Sequence, residues 1–175
     1  MIEKAYFATG CFWGAERRFW NLSGVTATSV GYMGGTKENP TYKEVCTGTT
    51  NHAETVEVQF NPSQISYERL LEEFWMMHDP TSLNRQGGDI GTQYRSEIFT
   101  TSDVQNQLAL NSRDIYQSAL AQAGMGEICT LIEDAQKFTY WPAEEYHQKY
   151  LEKNPNGYDC HSSTGVAFPS ERISS

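Results

Sequence analysis

The order of strand-like and helix-like patterns constrains the fold of this chain more than any other feature of its sequence. Lys4 to Thr9 and Val25 to Tyr32 have the composition of strands, and Ala53 to Phe60 alternates apolar with polar residues. Apolar residues at helical spacing lie between the first two strands, from Gly14 to Trp20, and after the third, from Ser66 to His78. This order predicts an α+β fold in which helices cover a mixed sheet.

The second half of the chain continues the alternation. Gln93 to Phe99 predicts a further strand, and Ser102 with Gln105 three residues later forms a capping-box pattern that opens a long helix. Glu127 to Glu133 predicts another strand. The run from Pro142 to about Leu151 predicts a helix that begins on its proline, since proline is favoured at the first helical position.

Length and charge limit the class of protein. The 175 residues fit one domain, 1–175, and the Ser- and Gly-rich sequence from about residue 154 predicts a flexible C-terminal tail. The net charge of −9 argues against binding to nucleic acid or to an anionic membrane surface. The first ten residues lack the apolar segment of a signal peptide, and no apolar run approaches a membrane span. The expected location is therefore the cytoplasm, or an equivalent compartment after loss of a targeting segment, and a monomer is the default expectation.

The segment TGCFWGAE, residues 9–16, places a cysteine at the junction between the first strand and the first helix. Backbone N–H groups and the helix dipole stabilise a thiolate at a helix start, so the sequence predicts a lowered pKa for Cys11. Gly10 and Gly14 allow a tight turn and leave the sulfur approachable. Cys11 is therefore the candidate nucleophile, and the alternative is a small core residue at a strand–helix junction.

The other three cysteines are Cys46, Cys129 and Cys160, and no two of the four form a C-x-x-C pair. This spacing argues against a zinc ribbon and a thioredoxin-type motif, and Cys160-His161 is too isolated to build a metal site, so no metal is expected. Cys46 and Cys129 lie in segments expected to be packed and are interpreted as structural. Cys160 lies in the tail, where a thiol can travel to another thiol; a surface cysteine without a role is the alternative.

Several polar residues could act beside a nucleophile. Glu54 lies on the apolar face of the third predicted strand and should point inward, where a carboxyl stays protonated to higher pH and can donate a proton. A glutamate paired with an arginine at the core edge is the alternative. Asp89 lies between glycines in a long polar loop, residues 80–92, that suits close approach to a ligand. Tyr42 and Tyr94 carry phenols that can donate to an uncharged oxygen, and Tyr94 shares the inward face of its predicted strand.

Two classes of function are open from these residues alone. A cysteine hydrolase or acyltransferase would use Cys11 as nucleophile, His52 as base and Asp89 to orient that base. His52 is otherwise a capping or packing histidine. A non-catalytic module would instead bind peptides in an aromatic pocket, without any change in the number of free thiols.

Five segments occur in an order typical of one family: GCFWG, GYMGG, PTYKEVCTGTTNHAE, DPTSLNRQGGDIGTQYRS and WPAEEYHQKY. Over about residues 4–168 the sequence resembles the MsrA family, the peptide-methionine (S)-S-oxide reductases. The resemblance implies a two-layer α/β sandwich with a ferredoxin-like mixed-sheet core. It also implies thiol-dependent reduction of methionine-S-sulfoxide, free or in proteins, and hence repair of oxidative damage without a bound cofactor.

The resemblance further implies a role for each motif residue. Cys11 attacks the sulfoxide sulfur, and Glu54 supplies the proton that lets the oxygen leave. The sulfenic acid formed on Cys11 condenses with Cys160, and thioredoxin, or dithiothreitol in vitro, reduces the Cys11–Cys160 disulfide. The implied substrate-binding residues contact the sulfoxide group: Tyr42, Asp89 and Tyr94 at its oxygen, and Phe12 and Trp13 at its methyl group.

The tail departs from the pattern of some family members, which carry a second cysteine a few residues after the first. Here that region reads TGVAFPS and has no thiol. Thioredoxin is therefore expected to act directly on the Cys11–Cys160 bond rather than through a relay of two disulfides.

Overall fold

The structure is a computed structural model that describes residues 1–159 and 163–169, and its described residues form eight strands and five α-helices. The strands are β1 (Glu3–Thr9), β2 (Val25–Met33), β3 (Ala53–Phe60), β4 (Arg85–Gln86), β5 (Asp89–Ile90), β6 (Ser96–Thr100), β7 (Leu131–Asp134) and β8 (Trp141–Pro142). The helices are α1 (Phe12–Trp20), α2 (Tyr42–Cys46), α3 (Tyr67–Met76), α4 (Asp103–Gln122) and α5 (Tyr150–Lys153). None of the helices within residues 1–159 and 163–169 is both long and apolar enough to cross a bilayer.

Strand β1 lies inside the main sheet, between β3 and β6, and runs antiparallel to both. β2 pairs antiparallel with β3, β7 pairs parallel with β6, and β8 pairs antiparallel with β2. The sheet order is therefore β7-β6-β1-β3-β2-β8, and β4 and β5 form a separate hairpin. The four central strands with α1 and α3 make the βαββαβ arrangement of a ferredoxin-like core, which confirms the predicted fold class.

The apolar core lies between the sheet and helices α1, α3 and α4. Phe7 on β1 is fully buried, stacks on Phe19 of α1 with ring centroids 5.0 Å apart, and lies 5.4 Å from the ring of Phe74 on α3. α3 packs in turn on α4, where Trp75 Nε1 donates to the Ser112 hydroxyl at 2.8 Å. This aromatic packing fixes α1 on the sheet and so fixes the position of its N-terminus.

The segment from Pro142 to Leu151 is not the helix that the sequence predicts. Trp141 and Pro142 instead form the edge strand β8, a position where the missing N–H of proline is tolerated. The Gln148 side chain then makes hydrogen bonds to the backbone of β2 like those that a further strand would make. Its amide accepts from Val30 N at 2.9 Å and donates to Val30 O at 2.8 Å.

Two other predicted strands are shorter in the structure. The predicted strand Gln93 to Phe99 is wrong at its start, because Thr92–Tyr94 form a 3-10 turn and β6 begins at Ser96. The predicted strand over residues 127–133 is reduced to Leu131–Asp134, the part that pairs with β6. The loop expected over residues 80–92 contains the β4–β5 hairpin.

Residues 163–169 pack against α4. The Tyr116 hydroxyl donates to Val166 O at 2.8 Å, and the Tyr116 ring stacks on Phe168, which is buried. The sequence predicts a flexible tail from about residue 154, whereas this part of it is held on the core, because Phe168 contributes apolar surface to the aromatic cluster of α4.

Replacing Phe7 with alanine should lower the free energy of unfolding by about 3–5 kcal/mol, because it leaves a cavity among three aromatic side chains. Urea unfolding followed by circular dichroism measures the change. Val104→Ala, at a residue that is 68% exposed on α4, should change the value by less than about 0.5 kcal/mol and serves as control. A Phe7→Ala effect as small as that of the control would contradict the central position of Phe7.

Candidate active site

Cys11 occupies the N-cap position of α1, directly after β1 has ended at Thr9. Gly10 makes the turn between them with a φ of +102°, a backbone conformation that favours glycine. A Cβ on Gly10 would also lie 2.7 Å from a side-chain carbon of Gln86 on β4. Because Gly10 tolerates a positive φ and has no side chain, the β4–β5 hairpin can pack beside the Cys11 thiol.

The surroundings of Cys11 favour its protonated form. Cys11 is 7% exposed, and its thiol interacts with the backbone N–H groups of Trp13 and Gly14, which lower its pKa. Burial, followed by the nearby Glu54 carboxylate, raises the pKa by more, so that the net shift is upward. The predicted lowering is therefore wrong for this state of the site, because desolvation outweighs the helix N-terminus.

Glu54 is the acidic group next to Cys11. Glu54 is 2% exposed at the start of β3, and its Oε1 accepts a hydrogen bond from the Phe12 backbone N–H at 3.1 Å. Burial raises the pKa of Glu54 to about 8, although the Phe12 N–H lowers it and the Asp89 charge raises it further. The prediction of an inward carboxyl is confirmed, and Glu54 is largely protonated at neutral pH.

Tyr42 and Tyr94 are half-buried beside Glu54, and burial and the Glu54 charge raise the pKa of both phenols. Tyr42 lies in the short helix α2, which the sequence did not indicate, and Tyr94 reaches the site from the 3-10 turn rather than from a strand. Both side chains interact with the Cys46 thiol and lower its pKa, although burial raises it by more. Cys46 is therefore a neighbour of the site residues and not only a packed structural cysteine.

Asp89 lies on β5, the second strand of the hairpin beside Cys11. Its negative charge acts on Cys11, Glu54 and Tyr94, and raises the pKa of each. The Tyr158 hydroxyl donates to both Asp89 carboxylate oxygens at 3.3 Å. Asp89 thus belongs to the same cluster as the nucleophile candidate.

An aromatic wall stands next to this polar cluster. Trp13 stacks on Tyr150 with ring centroids 3.7 Å apart, and its indole N–H donates to His147 Nδ1 at 3.1 Å. The buried His147 ring lies 4.4 Å from Tyr42 and 5.4 Å from Phe12. Because His147 accepts through Nδ1 and burial lowers its pKa, the imidazole is neutral and holds the indole in place.

Sequence reasoning missed His147 and its neighbour Glu144. Glu144 accepts from the Tyr32 hydroxyl at 2.7 Å and from Tyr42 N at 2.9 Å, which fixes α2 against β2. Both residues belong to the WPAEEYHQKY segment, for which a helix was predicted. A helix over residues 142–151 gives no reason to expect either residue near Cys11. The pairing of Trp141 and Pro142 with β2 is what brings them there.

His52 is not available as a catalytic base. Its Nδ1 accepts from Gly35 N at 3.0 Å, and its Nε2 contacts Lys37 O at 2.7 Å. Both ring nitrogens are thus bound to the backbone of the β2–α2 loop. The buried ring supports that loop, and the arrangement required for a hydrolase is not formed.

The remaining cysteines differ in what the structure shows. Cys160 lies outside the described residues. Cys129 is half-buried, and its thiol lies 3.4 Å from Thr81 O, which agrees with its interpretation as structural. Within the described part of the chain, no three Cys, His, Asp or Glu side chains are placed to hold a metal ion.

The arrangement around Cys11 is suited to reduction of a small polar group. It brings together a thiol, a neutral carboxylic acid, two neutral phenols and an aromatic wall. A thiol can accept an oxygen atom, the acid and the phenols can donate to that oxygen, and the wall can bind an apolar substituent. These features define a cysteine-based oxidoreductase site.

Comparisons with known proteins identify the family. Residues 3–171 match the family model described as peptide methionine sulfoxide reductase. The MsrA 1 protein of Synechocystis sp. is 57% identical over 168 residues, which cover 96% of this chain and 75% of that protein. The chain therefore belongs to the peptide methionine sulfoxide reductase family, and within it to the MsrA enzymes.

Solved structures agree with this assignment. Methionine sulfoxide reductase A of Corynebacterium diphtheriae superposes with a TM-score of 0.87 at 48% identity, over 95% of this chain and 81% of that one. Reduced Mxr1 of Saccharomyces cerevisiae gives 0.82 at 37% identity, over 93% and 92%. Mxr1 in complex with Trx2 matches at the level of the fold, with a TM-score of 0.57 at 22% identity over 93% and 89%.

In the reduced, substrate-free protein, Cys11 should react with iodoacetamide at pH 7.5 at least about tenfold more slowly than in urea, because its raised pKa and burial suppress the exposed thiolate. Timed alkylation followed by peptide mapping measures each cysteine separately. Cys129 in the same sample is the internal control. Equal Cys11 rates in the folded and the unfolded protein would contradict the protonated, shielded thiol.

Proposed function

We propose that this MsrA enzyme reduces methionine-S-sulfoxide, free or in proteins, with Cys11 as the nucleophile and Glu54 as the proton donor. The observation that supports these roles is the hydrogen bond from the Phe12 N–H, which places the neutral Glu54 carboxyl beside Cys11 at the start of α1. Cys11 attacks the sulfoxide sulfur while Glu54 protonates its oxygen. The substrate sulfur gains two electrons, the Cys11 sulfur loses two, and the oxygen ends on Cys11 as a sulfenic acid.

The groups around the pair recognise the two ends of the sulfoxide. The phenols of Tyr42 and Tyr94 donate hydrogen bonds to the sulfoxide oxygen, which carries partial negative charge and has no proton of its own. Asp89 orders this polar end of the substrate through water. Their raised pKa values keep both phenols protonated and therefore able to donate. Phe12 and Trp13 bind the methyl group, since an apolar ring surface favours it over a hydroxyl or an amine.

The reaction cycle closes through the tail and an external reductant. Cys160 attacks the sulfenic acid on Cys11 and forms a disulfide, which thioredoxin then reduces by thiol–disulfide exchange. Yeast Mxr1, a family relative, has been solved with Trx2, which supports thioredoxin as the partner here. Because TGVAFPS lacks a second tail thiol, thioredoxin acts on the Cys11–Cys160 bond itself.

A single turnover without reductant tests this cycle. Reduced protein mixed with a slight excess of methionine-S-sulfoxide should release one methionine per chain and form a Cys11–Cys160 bridge, detected by intact mass and peptide mapping. Cys160→Ser should still release one methionine, because the first step needs only Cys11, but should lose thioredoxin-driven turnover. A bridge from Cys11 to Cys46 or Cys129 would keep the reductase and discard Cys160; absence of methionine with four intact thiols would refute the reductase.

The rate of methionine release in that single turnover should rise with pH up to about 8 and then level off. The reactive pair holds one proton, which is on Glu54 while Cys11 is a thiolate. Below about pH 8 both groups are protonated, and each pH unit raises the reactive fraction about tenfold. Above about pH 8, the fraction of protonated Glu54 falls by the same factor by which the fraction of Cys11 thiolate rises, so the fraction of molecules in the reactive state stays constant.

Glu54→Gln is the matched variant for this profile. The amide keeps the shape and accepts from Phe12 N but has no acidic proton, so the rate should fall and the levelling near pH 8 should disappear. Rapid-quench measurements from pH 6 to 10 give both profiles. An unchanged rate, or a plateau that persists in Glu54→Gln, would remove Glu54 as the proton donor.

A further inference from the structure

Glu16 is a buried carboxyl on α1 that has no part in the chemistry proposed above. It is fully buried, and a carboxyl inside a protein is costly unless it is hydrogen-bonded. Each of its oxygens accepts one hydrogen bond, Oε2 from the Thr28 hydroxyl at 2.8 Å and Oε1 from the Lys149 backbone N–H at 2.9 Å. The second bond joins residues 133 positions apart and fixes the start of α5 to α1.

Lys149 has a backbone conformation that is uncommon for a residue with a side chain. It is the N-cap residue of α5, and its φ of 52° and ψ of 37° lie in the left-handed region. Such a conformation persists only where the surroundings hold it, and it is often found at functional sites. Here Glu16 binds the N–H of Lys149, and the Lys149 ammonium lies 4.5 Å from the centroid of the Trp20 ring on the same helix. The turn is thus fixed to α1 by its backbone and by its side chain.

The residue after this turn forms part of the aromatic wall. Tyr150 stacks on Trp13 with ring centroids 3.7 Å apart and an angle of 9° between the ring planes. Trp13 and Glu16 are three residues apart in α1 and are therefore neighbours on its surface. Two neighbouring side chains of the helix thus bind two successive residues of the chain. The position of the Tyr150 ring on the indole depends on the turn that Glu16 holds.

We propose that Glu16 is a positioning residue for substrate binding: by holding the turn at Lys149 it keeps the Tyr150 ring on the indole that receives the methyl group of the sulfoxide. This inference rests on the proposed function. The methyl group is the same in the substrate and in the transition state, so a displaced wall weakens binding and leaves the chemical step as it is. Glu16 therefore acts on the substrate concentration that gives half the maximal rate, and not on proton transfer from Glu54.

Glu16→Leu tests the proposal, since it removes both acceptor oxygens and keeps a side chain of similar size. The rate of methionine release is measured in the reductant-free single turnover, with methionine-S-sulfoxide varied in excess over protein. The concentration that gives half the maximal rate should rise about tenfold, the factor that a lost contact with one methyl-sized group corresponds to. The maximal rate should stay within about threefold of the wild type, because Cys11 and Glu54 are unchanged.

Two single variants separate the bond to Lys149 from a general effect on the fold. In Glu16→Gln the amide oxygen accepts from Lys149 N and the NH2 group donates to the Thr28 hydroxyl, so the half-saturating concentration should stay within about twofold of the wild type. Thr28→Val breaks the other bond of the same carboxyl. It should lower the free energy of unfolding and leave the half-saturating concentration unchanged.

A double variant tests whether Glu16 acts through the stacked ring. Tyr150→Ala already lacks that ring, so adding Glu16→Leu to it should change the half-saturating concentration by less than about twofold. The position of the ring can also be measured without substrate. Acrylamide should quench the Trp13 emission more strongly in Glu16→Leu than in the wild type, because the indole loses the ring that covers it. This emission is the difference between each protein and the same protein with Trp13→Phe.

Glu16→Asp is the second variant if Glu16→Leu does not fold. It keeps a carboxyl but is one methylene shorter, so it cannot reach the Thr28 hydroxyl and the Lys149 N–H together. The half-saturating concentration and the acrylamide quenching should both rise, as in Glu16→Leu.

The outcomes distinguish this proposal from the function on which it rests. An unchanged half-saturating concentration in folded Glu16→Leu, or in folded Glu16→Asp, would overturn the positioning role and leave the reductase intact. Effects of Glu16→Leu and Tyr150→Ala that simply multiply would also overturn it, as would a Glu16→Gln effect as large as that of Glu16→Leu. Absence of methionine release from the wild type would instead refute the proposed function itself, and the quenching of Trp13 would still test the contact between Glu16 and the turn.

Discussion

The hydrogen bond between the Phe12 N–H and the Glu54 carboxyl is the contact on which the site depends. It joins the N-terminus of α1 to the start of β3, two elements that the ferredoxin-like core brings together. Burial raises the pKa of this carboxyl to about 8, so it is largely neutral at pH 7 and does not carry a buried charge. Fold and chemistry therefore support each other: the packing that anchors α1 also holds the proton near the thiol.

Local patterns predicted the parts of the site that local geometry controls. The alternation of the third strand was enough to place Glu54 inside, and the junction of strand and helix was enough to place Cys11 at the start of α1. The direction of the Cys11 pKa shift could not be obtained in this way, because it depends on burial by elements distant in sequence. Tyr94 was placed near the pocket for the wrong reason, since it reaches the site from a 3-10 turn.

Non-local pairing explains the largest difference between expectation and structure. The helix predicted over residues 142–151 rests on a proline at a favourable first position, and that signal is local. The competing interaction is with β2, more than a hundred residues earlier, and it places His147 against Trp13 and Glu144 against Tyr32. The family resemblance included this segment, but without the strand pairing it gave no role to either residue.

The contact between Gln148 and Val30 has a consequence for how a protein substrate can approach. Strand β8 and the Gln148 amide together occupy backbone groups of β2 at Val30, Gly31 and Tyr32, on the sheet edge nearest the pocket. An extended polypeptide therefore cannot form backbone hydrogen bonds with β2 at these residues as a further strand. Contacts with a polypeptide on this side of the site have to come from side chains and loops, because the backbone of β2 is already paired at these three residues.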